Sequence, residues 1–225
     1  MRGSLAGRAL RALVARRGSI VTPLSKAWQP DIATIRQTRA MVPILLTDPA
    51  ALHLISCVRA ACRLTGEMAE AGVFKGGSAR LICEAKGKTP LHLFDVFESL
   101  QQSPGADGAE VRDHFGPVHG VEQDVERLLA PYPAVRVHRG LFPGSAKGLE
   151  QIRYSFVHLD LDLAGPTRGA LEFFRPRMVP GAILLGDDYD DPALRETFAD
   201  HFGSSPDTLI ELPWSQVMVV RQGPA

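Results

Sequence analysis

TLIELPWSQVMVV, residues 208–220, decides how this chain folds. Two short apolar runs with strand character, 208–212 and 217–220, are separated only by Pro213, Trp214, Ser215 and Gln216. A parallel crossover needs about a dozen residues or more, so the two runs must pair antiparallel, as a hairpin. Toward the amino end, strand signals at 67–73, 91–96, 135–141, 156–161 and 182–185 alternate with helical signals at 49–63, 78–86, 121–130, 146–152, 167–174 and 192–202. Such alternation predicts a parallel sheet with helices on both faces. The expected fold is α/β, with a mostly parallel seven-stranded sheet finished by a C-terminal antiparallel hairpin.

Two of these strands end in acid. FVHLDLD (156–162) carries Asp160 and Asp162, and AILLGDDYDD (182–191) carries Asp187 and Asp188. Apolar runs of this kind are buried on both faces, so their carboxylates emerge together at the carboxyl edge of the sheet, where open α/β folds bind ligands. Clustered carboxylates repel one another unless something positive sits among them, which points to a hard divalent cation. His158 precedes Asp160 by two residues and shares its face. It reads either as a satisfied core histidine or as a group standing behind the metal. Tyr189 and Asp190 read equally as acceptor-side or loop-packing residues.

The first strand leads into EAGVFKGGS, residues 70–78. Glycines there let the backbone approach a ligand, and the amino end of the following helix favours a carboxylate or phosphate. The spacing is G-x-x-x-G-G rather than G-x-G-x-x-G, which weakens a nicotinamide-cofactor reading. Asp95 ends the second strand about 20 residues later, where an acid can accept both hydroxyls of a ribose. A helix cap is the competing reading.

AEAGVFKGGSA, LFDVFES, HRGLF, HLDLDLAGPT and GAILLGDDY occur in this order. Together they resemble the macrocin O-methyltransferase family, metal-dependent enzymes that methylate sugar hydroxyls on natural products. The resemblance runs from about Gly66 to Phe202. It implies a Rossmann-like fold of the S-adenosylmethionine-dependent methyltransferases, whose sheet also finishes in an antiparallel hairpin. It places Glu70, Gly72 and Ser78 around the methionine end of S-adenosylmethionine, with Val73, Phe74 and Gly76 of the same turn against the cofactor. Asp95 would take the ribose, and Gly140 and Phe142 would lie near the adenine. Asp160, Asp187 and Asp188 fall on the metal-ligand positions, an arrangement similar to that of catechol O-methyltransferase, with magnesium as the ion. Asp160 is the implied catalytic group, taking the acceptor's proton. Asp162 stands either behind the metal or in a structural role.

The chain also departs from its relatives. Ala164-Gly165-Pro166-Thr167 stands where the family has Tyr-Glu-Ser-Thr, and Leu163 where catechol methyltransferases have a lysine. Both departures leave the acceptor and the general base open.

Lys plus Arg and Asp plus Glu are both 25, which gives no bulk electrostatic case for nucleic acid. No run reaches the roughly 18 apolar residues of a membrane span. Cys57, Cys62 and Cys83 are odd in number and lack CxxC spacing, as expected of core residues in a reducing cytoplasm. Residues 1–48 read as a basic arm and the start of a helical region, and 49–225 as the methyltransferase domain. Leu5, Leu10, Leu13 and Val14 give the arm an apolar stripe, readable as a partner-packing or homo-oligomer surface, a transit peptide or a membrane-surface segment. His53 reads as a surface or helix-packing residue. The loop 99–120, with His114 and His119, reads as a substrate lid or a passive loop.

The expected activity is magnesium-dependent transfer of a methyl group from S-adenosylmethionine to a small-molecule hydroxyl. A glycosyltransferase using Asp160-Leu161-Asp162 and a non-catalytic S-adenosylmethionine-binding module are the alternatives.

Overall fold

A computed structural model describes residues 24–97 and 120–223. The strands are β1 (Glu67–Ala71), β2 (Leu91–Asp95), β3 (Val135–Arg139), β4 (Tyr154–Leu159), β5 (Met178–Gly186), β6 (Thr208–Leu212) and β7 (Gln216–Val220). They form one sheet in the order β3-β2-β1-β4-β5-β7-β6. All pairings from β3 to β5 are parallel, and β7 runs antiparallel to both β5 and β6. The expected architecture is the observed one. Strand order reverses between β1 and β4, and this reversal opens a crevice at the carboxyl edge where ligands bind in open α/β sheets.

The helices are α1 (Gln29–Arg39), α2 (Asp48–Ala61), α3 (Gly77–Ala85), α4 (Val121–Leu129), α5 (Ala164–Phe174) and α6 (Pro192–Phe202). The two-residue repeat of the strands sorts their side chains into two layers. Met68, Leu91, Leu93, Phe156 and Leu185 pack beneath α1 to α4, while Ala69, Phe94, Val157, Leu184 and Val217 pack beneath α5 and α6. Helix α2 shows how this works locally. Thr47 caps it by accepting the Ala50 N–H, Pro49 occupies its first turn, and Leu54, Ile55 and Val58 are buried on its sheet-facing side. Each of those side chains contributes about 1.5–3 kcal/mol by leaving water.

Helix α1 lies in the stretch read as a basic arm and the start of a helical region; there Ile35 is buried and Asp31 takes a bidentate bond from Arg59 of α2 at 2.8 and 2.5 Å. Two features differ from the sequence expectation. The helix expected at 146–152 is a single 3-10 turn, Gly144–Ala146. Gly148 there has φ +91°, a conformation no right-handed helix continues through. Cys57 and Cys83 are buried core residues, with thiols pushed up to about 12 by burial, but Cys62 is exposed. Among the described residues no helix is long and apolar enough to cross a membrane. The apolar stripe of the arm, and His114 and His119, lie outside the described residues.

Candidate active site

Parallel register sets Glu70 of β1 beside His158 of β4, and His158 beside Leu185 of β5. Two residues further along, Asp160 and Asp187 leave the sheet on the same face. Glu70 and His158 are fully buried. His158 Nδ1 lies 2.8 Å from Glu70 Oε1, and its Nε2 lies 2.6 Å from Asp187 Oδ2. Both ring nitrogens therefore face carboxylate oxygens, an arrangement satisfied when both carry protons. Burial alone would lower the His158 pKa, but Asp187 and Glu70 reverse this and hold it well above its ordinary value. The positive charge expected among the carboxylates is thus partly built in. With both nitrogens engaged, His158 stands behind Asp187 and has none to spare for a metal.

Asp160 is shared by two overlapping groups of possible ligands. Ligand atoms of His158, Asp160 and Asp187 lie within 4.8 Å of one another, and so do those of Asp160, Asp162 and Asp188. The expected trio Asp160, Asp187 and Asp188 is divided between these groups, and Asp162, whose role was open, joins the second. Burial, then Asp187, pushes the Asp160 pKa well above the carboxylate range. Burial, then Asp188, pushes Asp162 up to about 7. Asp188 is raised as well, by burial first, against a hydrogen bond with Asp162 that lowers it. Asp162 and Asp188 take φ values of +58° and +55°, in the left-handed region that Asp tolerates better than most residues. The second group, with only carboxylate oxygens from Asp160, Asp162 and Asp188, fits a hard cation such as magnesium.

The glycine turn adjoins this edge. Gly72 has φ +89°, and a Cβ there would fall 1.6 Å from the Asp160 carbonyl oxygen, so backbone touches backbone across β1 and β4. Gly76 has φ +84° and caps α3, with Ser78 in the first turn. Asp95 Oδ2 accepts the N–H groups of Val73 and Phe74 at 2.7 and 2.8 Å, and its Oδ1 accepts that of Phe97 at 2.7 Å. Asp95 therefore pins the turn to the end of β2, a role neither the ribose nor the cap reading contained. Glu70 Oε2 is buried and has no hydrogen-bond partner among the described residues. A cationic amino group, such as the methionine end of S-adenosylmethionine carries, satisfies such an acceptor.

Gly140 donates its N–H to the Asp95 carbonyl at 2.9 Å, which brings the β3 turn to the same edge. The Phe142 ring packs against the core beneath α5. It stacks on Phe174 at 5.0 Å and meets Phe94 edge-on at 5.1 Å, leaving Leu141 as the exposed side chain of that turn.

Residues 69–189 match the family described as "Methyltransferase domain". The 8-demethyl-8-(2,3-dimethoxy-alpha-L-rhamnosyl)-tetracenomycin-C 4'-O-methyltransferase of Streptomyces olivaceus is 32% identical over 153 residues, covering 61% of this chain. The chain spans 58% of the length of that relative. Among solved structures, the calicheamicin methyltransferase CalS11 superposes with a TM-score of 0.63 at 18% identity, over 91% of this chain and 95% of its own. The O-methyltransferase TomG of Streptomyces achromogenes, involved in tomaymycin synthesis and solved with S-adenosylmethionine, has a TM-score of 0.58 at 14% identity, over 98% and 100%. At these identities the solved structures speak for the fold.

Proposed function

This chain belongs to the methyltransferase-domain family, and from that premise we propose that it moves the methyl group of S-adenosylmethionine to a hydroxyl oxygen of a small molecule, with magnesium at the acidic edge. One observation carries the reading. The absent Cβ of Gly72 lets the glycine turn rest on the Asp160 carbonyl, so the segment that would bind the donor and the strand that would hold the acceptor's oxygen are in direct contact.

S-adenosylmethionine supplies a methyl group on a sulfonium. Magnesium supplies a positive centre that lowers the pKa of an acceptor hydroxyl. Asp160, Asp187 and Asp188 would hold the ion, and Asp162, grouped with Asp160 and Asp188, would assist. His158 bonds Asp187 Oδ2, which fixes that carboxylate and leaves its other oxygen available. Glu70 Oε2, buried without a hydrogen-bond partner among the described residues, would accept a hydrogen bond from the donor's amino group, and Asp95 fixes the turn beside it. Gly76 and Ser78 open α3, whose amino end would take the methionine carboxylate, and the β3 turn at Gly140 would lie near the adenine. Asp160 takes the proton of the acceptor hydroxyl. Positioning of the two reactants accounts for much of the acceleration.

The Streptomyces olivaceus relative is named for a 4'-oxygen on a rhamnosyl tetracenomycin. The acceptor proposed for this chain is likewise a sugar hydroxyl of a natural product. Three free cysteines, two of them buried, fit a reducing cytoplasm. Incubation with S-adenosylmethionine, magnesium and a panel of sugar, polyol and catechol acceptors tests the reaction. A product heavier by one methylene unit on oxygen is expected. Failure to bind S-adenosylhomocysteine at millimolar concentration, with binding of a nucleotide sugar instead, would overturn it.

A further inference from the structure

Strand β3 ends the sheet and pairs only with β2. The chain between β3 and β4 forms the 3-10 turn Gly144–Ala146 in place of the expected helix, and on the face shared with Phe94 the strand leaves Arg136 exposed and His138 half-buried. Polar side chains fill this end of that face. Register sets His92 of β2 beside Arg136, and Phe94 beside His138. The His138 ring stacks on His92 at 5.0 Å and on Phe94 at 4.8 Å, and His92 itself is fully buried.

A continuous line of hydrogen bonds runs through these rings. His92 Nε2 lies 2.5 Å from Glu67 Oε2 of β1, and its Nδ1 lies 2.8 Å from His138 Nε2. A carboxylate can only accept, so Nε2 carries the proton of the first contact and the neutral ring keeps a lone pair at Nδ1. His138 Nε2 must then donate. Arg136 Nη1, 3.3 Å from the same Glu67 oxygen, adds a second donor there. Among the described residues, Glu67 from β1, Arg136 from β3 and Tyr154 from β4, edge-on to His92 at 6.2 Å, are the charged or titratable groups facing the pair. Burial raises the Tyr154 pKa, so its hydroxyl stays neutral, and α5 meets Phe94 and Tyr154 with the apolar ring of Phe174.

One extra proton fits this line. Placed on His92 it goes to Nδ1, and His138 turns from donor to acceptor by carrying its own proton on Nδ1. A second does not fit, because two N–H groups would then point at each other across 2.8 Å, with both cations beside Arg136. Burial outweighs Glu67 and lowers the His92 pKa; burial, then His92 and Arg136, lower that of His138. Near neutrality both rings are uncharged and the line is intact.

We propose that His92 and His138 form an acid-sensitive latch on edge strand β3: the folded sheet accepts no more than one proton on the pair, and uptake of the second frees β3 together with the turn at Gly140. A released strand takes a proton on each ring, so acid favours release. The consequence for the donor rests on the function proposed above, since Gly140, which hangs on the Asp95 carbonyl, is the turn placed near the adenine. The latch itself stands on the histidine geometry alone.

The test compares full-length wild type with His138→Gln. Glutamine can donate from its amide nitrogen to neutral His92 or accept with its oxygen from protonated His92, so it keeps the line joined in both states. Below the ordinary histidine value of 6.5 the unfolded chain takes up both protons. There the unfolding constant of wild type in urea should rise with falling pH about tenfold per unit more steeply than that of the variant. Acidic groups elsewhere titrate alike in both chains and cancel. At about pH 5.5 the β3 amides should exchange hydrogen faster in wild type than in the variant, and affinity for S-adenosylhomocysteine should fall further. In ¹⁵N-histidine spectra of folded wild type, which need no variant, no more than one of the two rings should become cationic. Two cationic rings in the folded protein overturn the latch, and so do equal pH slopes of unfolding for the two chains. Cofactor affinity with the same pH dependence in both overturns the coupling to Gly140. Failure to bind S-adenosylhomocysteine at any pH would count against the methyl-transfer reading, while the unfolding and histidine data still decide the latch.

Discussion

Asp187 reaches His158 through Oδ2 at 2.6 Å, so one of its two oxygens is spent inside the protein and only the other can serve a ligand. Asp187→Asn must then turn its oxygen toward His158 and its amide nitrogen toward the site, losing the charge and the free acceptor together. Magnesium affinity should fall while affinity for S-adenosylhomocysteine is kept, both read by calorimetry. Methyl transfer should fall about 10²-fold, on the order of 3 kcal/mol of transition-state stabilisation. Chelator should silence the wild type, and magnesium should restore it. Methylation that survives both exhaustive chelation and this change would make the cluster structural.

Gly72→Ala should be among the most damaging single-methyl changes in the molecule. The new carbon would sit 1.6 Å from the Asp160 carbonyl oxygen, at a φ of +89° that alanine resists. β1 and β4 would have to part at the site itself. A loss of about 3 kcal/mol or more is expected in urea unfolding, together with loss of cofactor binding. Unchanged stability would mean that the strands separate there without cost.

Much of the site was legible because it lies at strand ends. Runs such as AILLG and FVHL announce buried strands, and the acids that follow them had to emerge at one edge. The hairpin was legible because four residues cannot carry a crossover. The Glu70–His158 contact was not, since 88 residues separate its partners and only the β1–β4 register joins them. Asp95 was placed at the edge but not in its bonds, because a strand-end acid looks the same whether it faces a ligand or the backbone of Val73 and Phe74. The anchorage of α1 was not legible, because the partner of Asp31 is Arg59, one element away.

Asp95→Asn tests whether the turn is built before the cofactor arrives. The amide keeps one acceptor oxygen, so it must give up either the bonds to Val73 and Phe74 or the bond to Phe97. A stability loss of about 1–3 kcal/mol is expected from thermal unfolding, with S-adenosylhomocysteine bound at least about tenfold more weakly. Magnesium affinity should be unaffected. Full cofactor affinity in this variant would remove Asp95 from the donor site.

Away from the site, Asp207 should set part of the acid stability. Burial alone would raise its pKa, but the Gln222 N–H, Arg175, Arg221 and Ser205 bring it down to about 2. A carboxylate whose folded pKa lies below its ordinary value of 3.8 stabilises the fold above that value. The contribution is lost as pH falls through the folded value. Asp207→Asn should therefore cost about 2–4 kcal/mol near neutrality. The gap from wild type should narrow as pH falls from about 4 to about 2, measured by urea unfolding across that range. A gap that stays constant would assign the effect to packing.

The inner position of β7 also governs the order in which the molecule can be completed. A ribosome delivers β6 before β7, yet in the sheet β7 lies between β6 and β5. Until Gln216–Val220 has emerged, β6 has no neighbour to pair with, and the free side of β5, next to the strand end that bears Asp187, is an open row of unpaired backbone groups. A nascent chain halted before residue 216 would present that row to other chains, where it invites strand pairing between molecules. The edge that bears Asp187 is thus finished only by the last of the sheet's described strands to emerge.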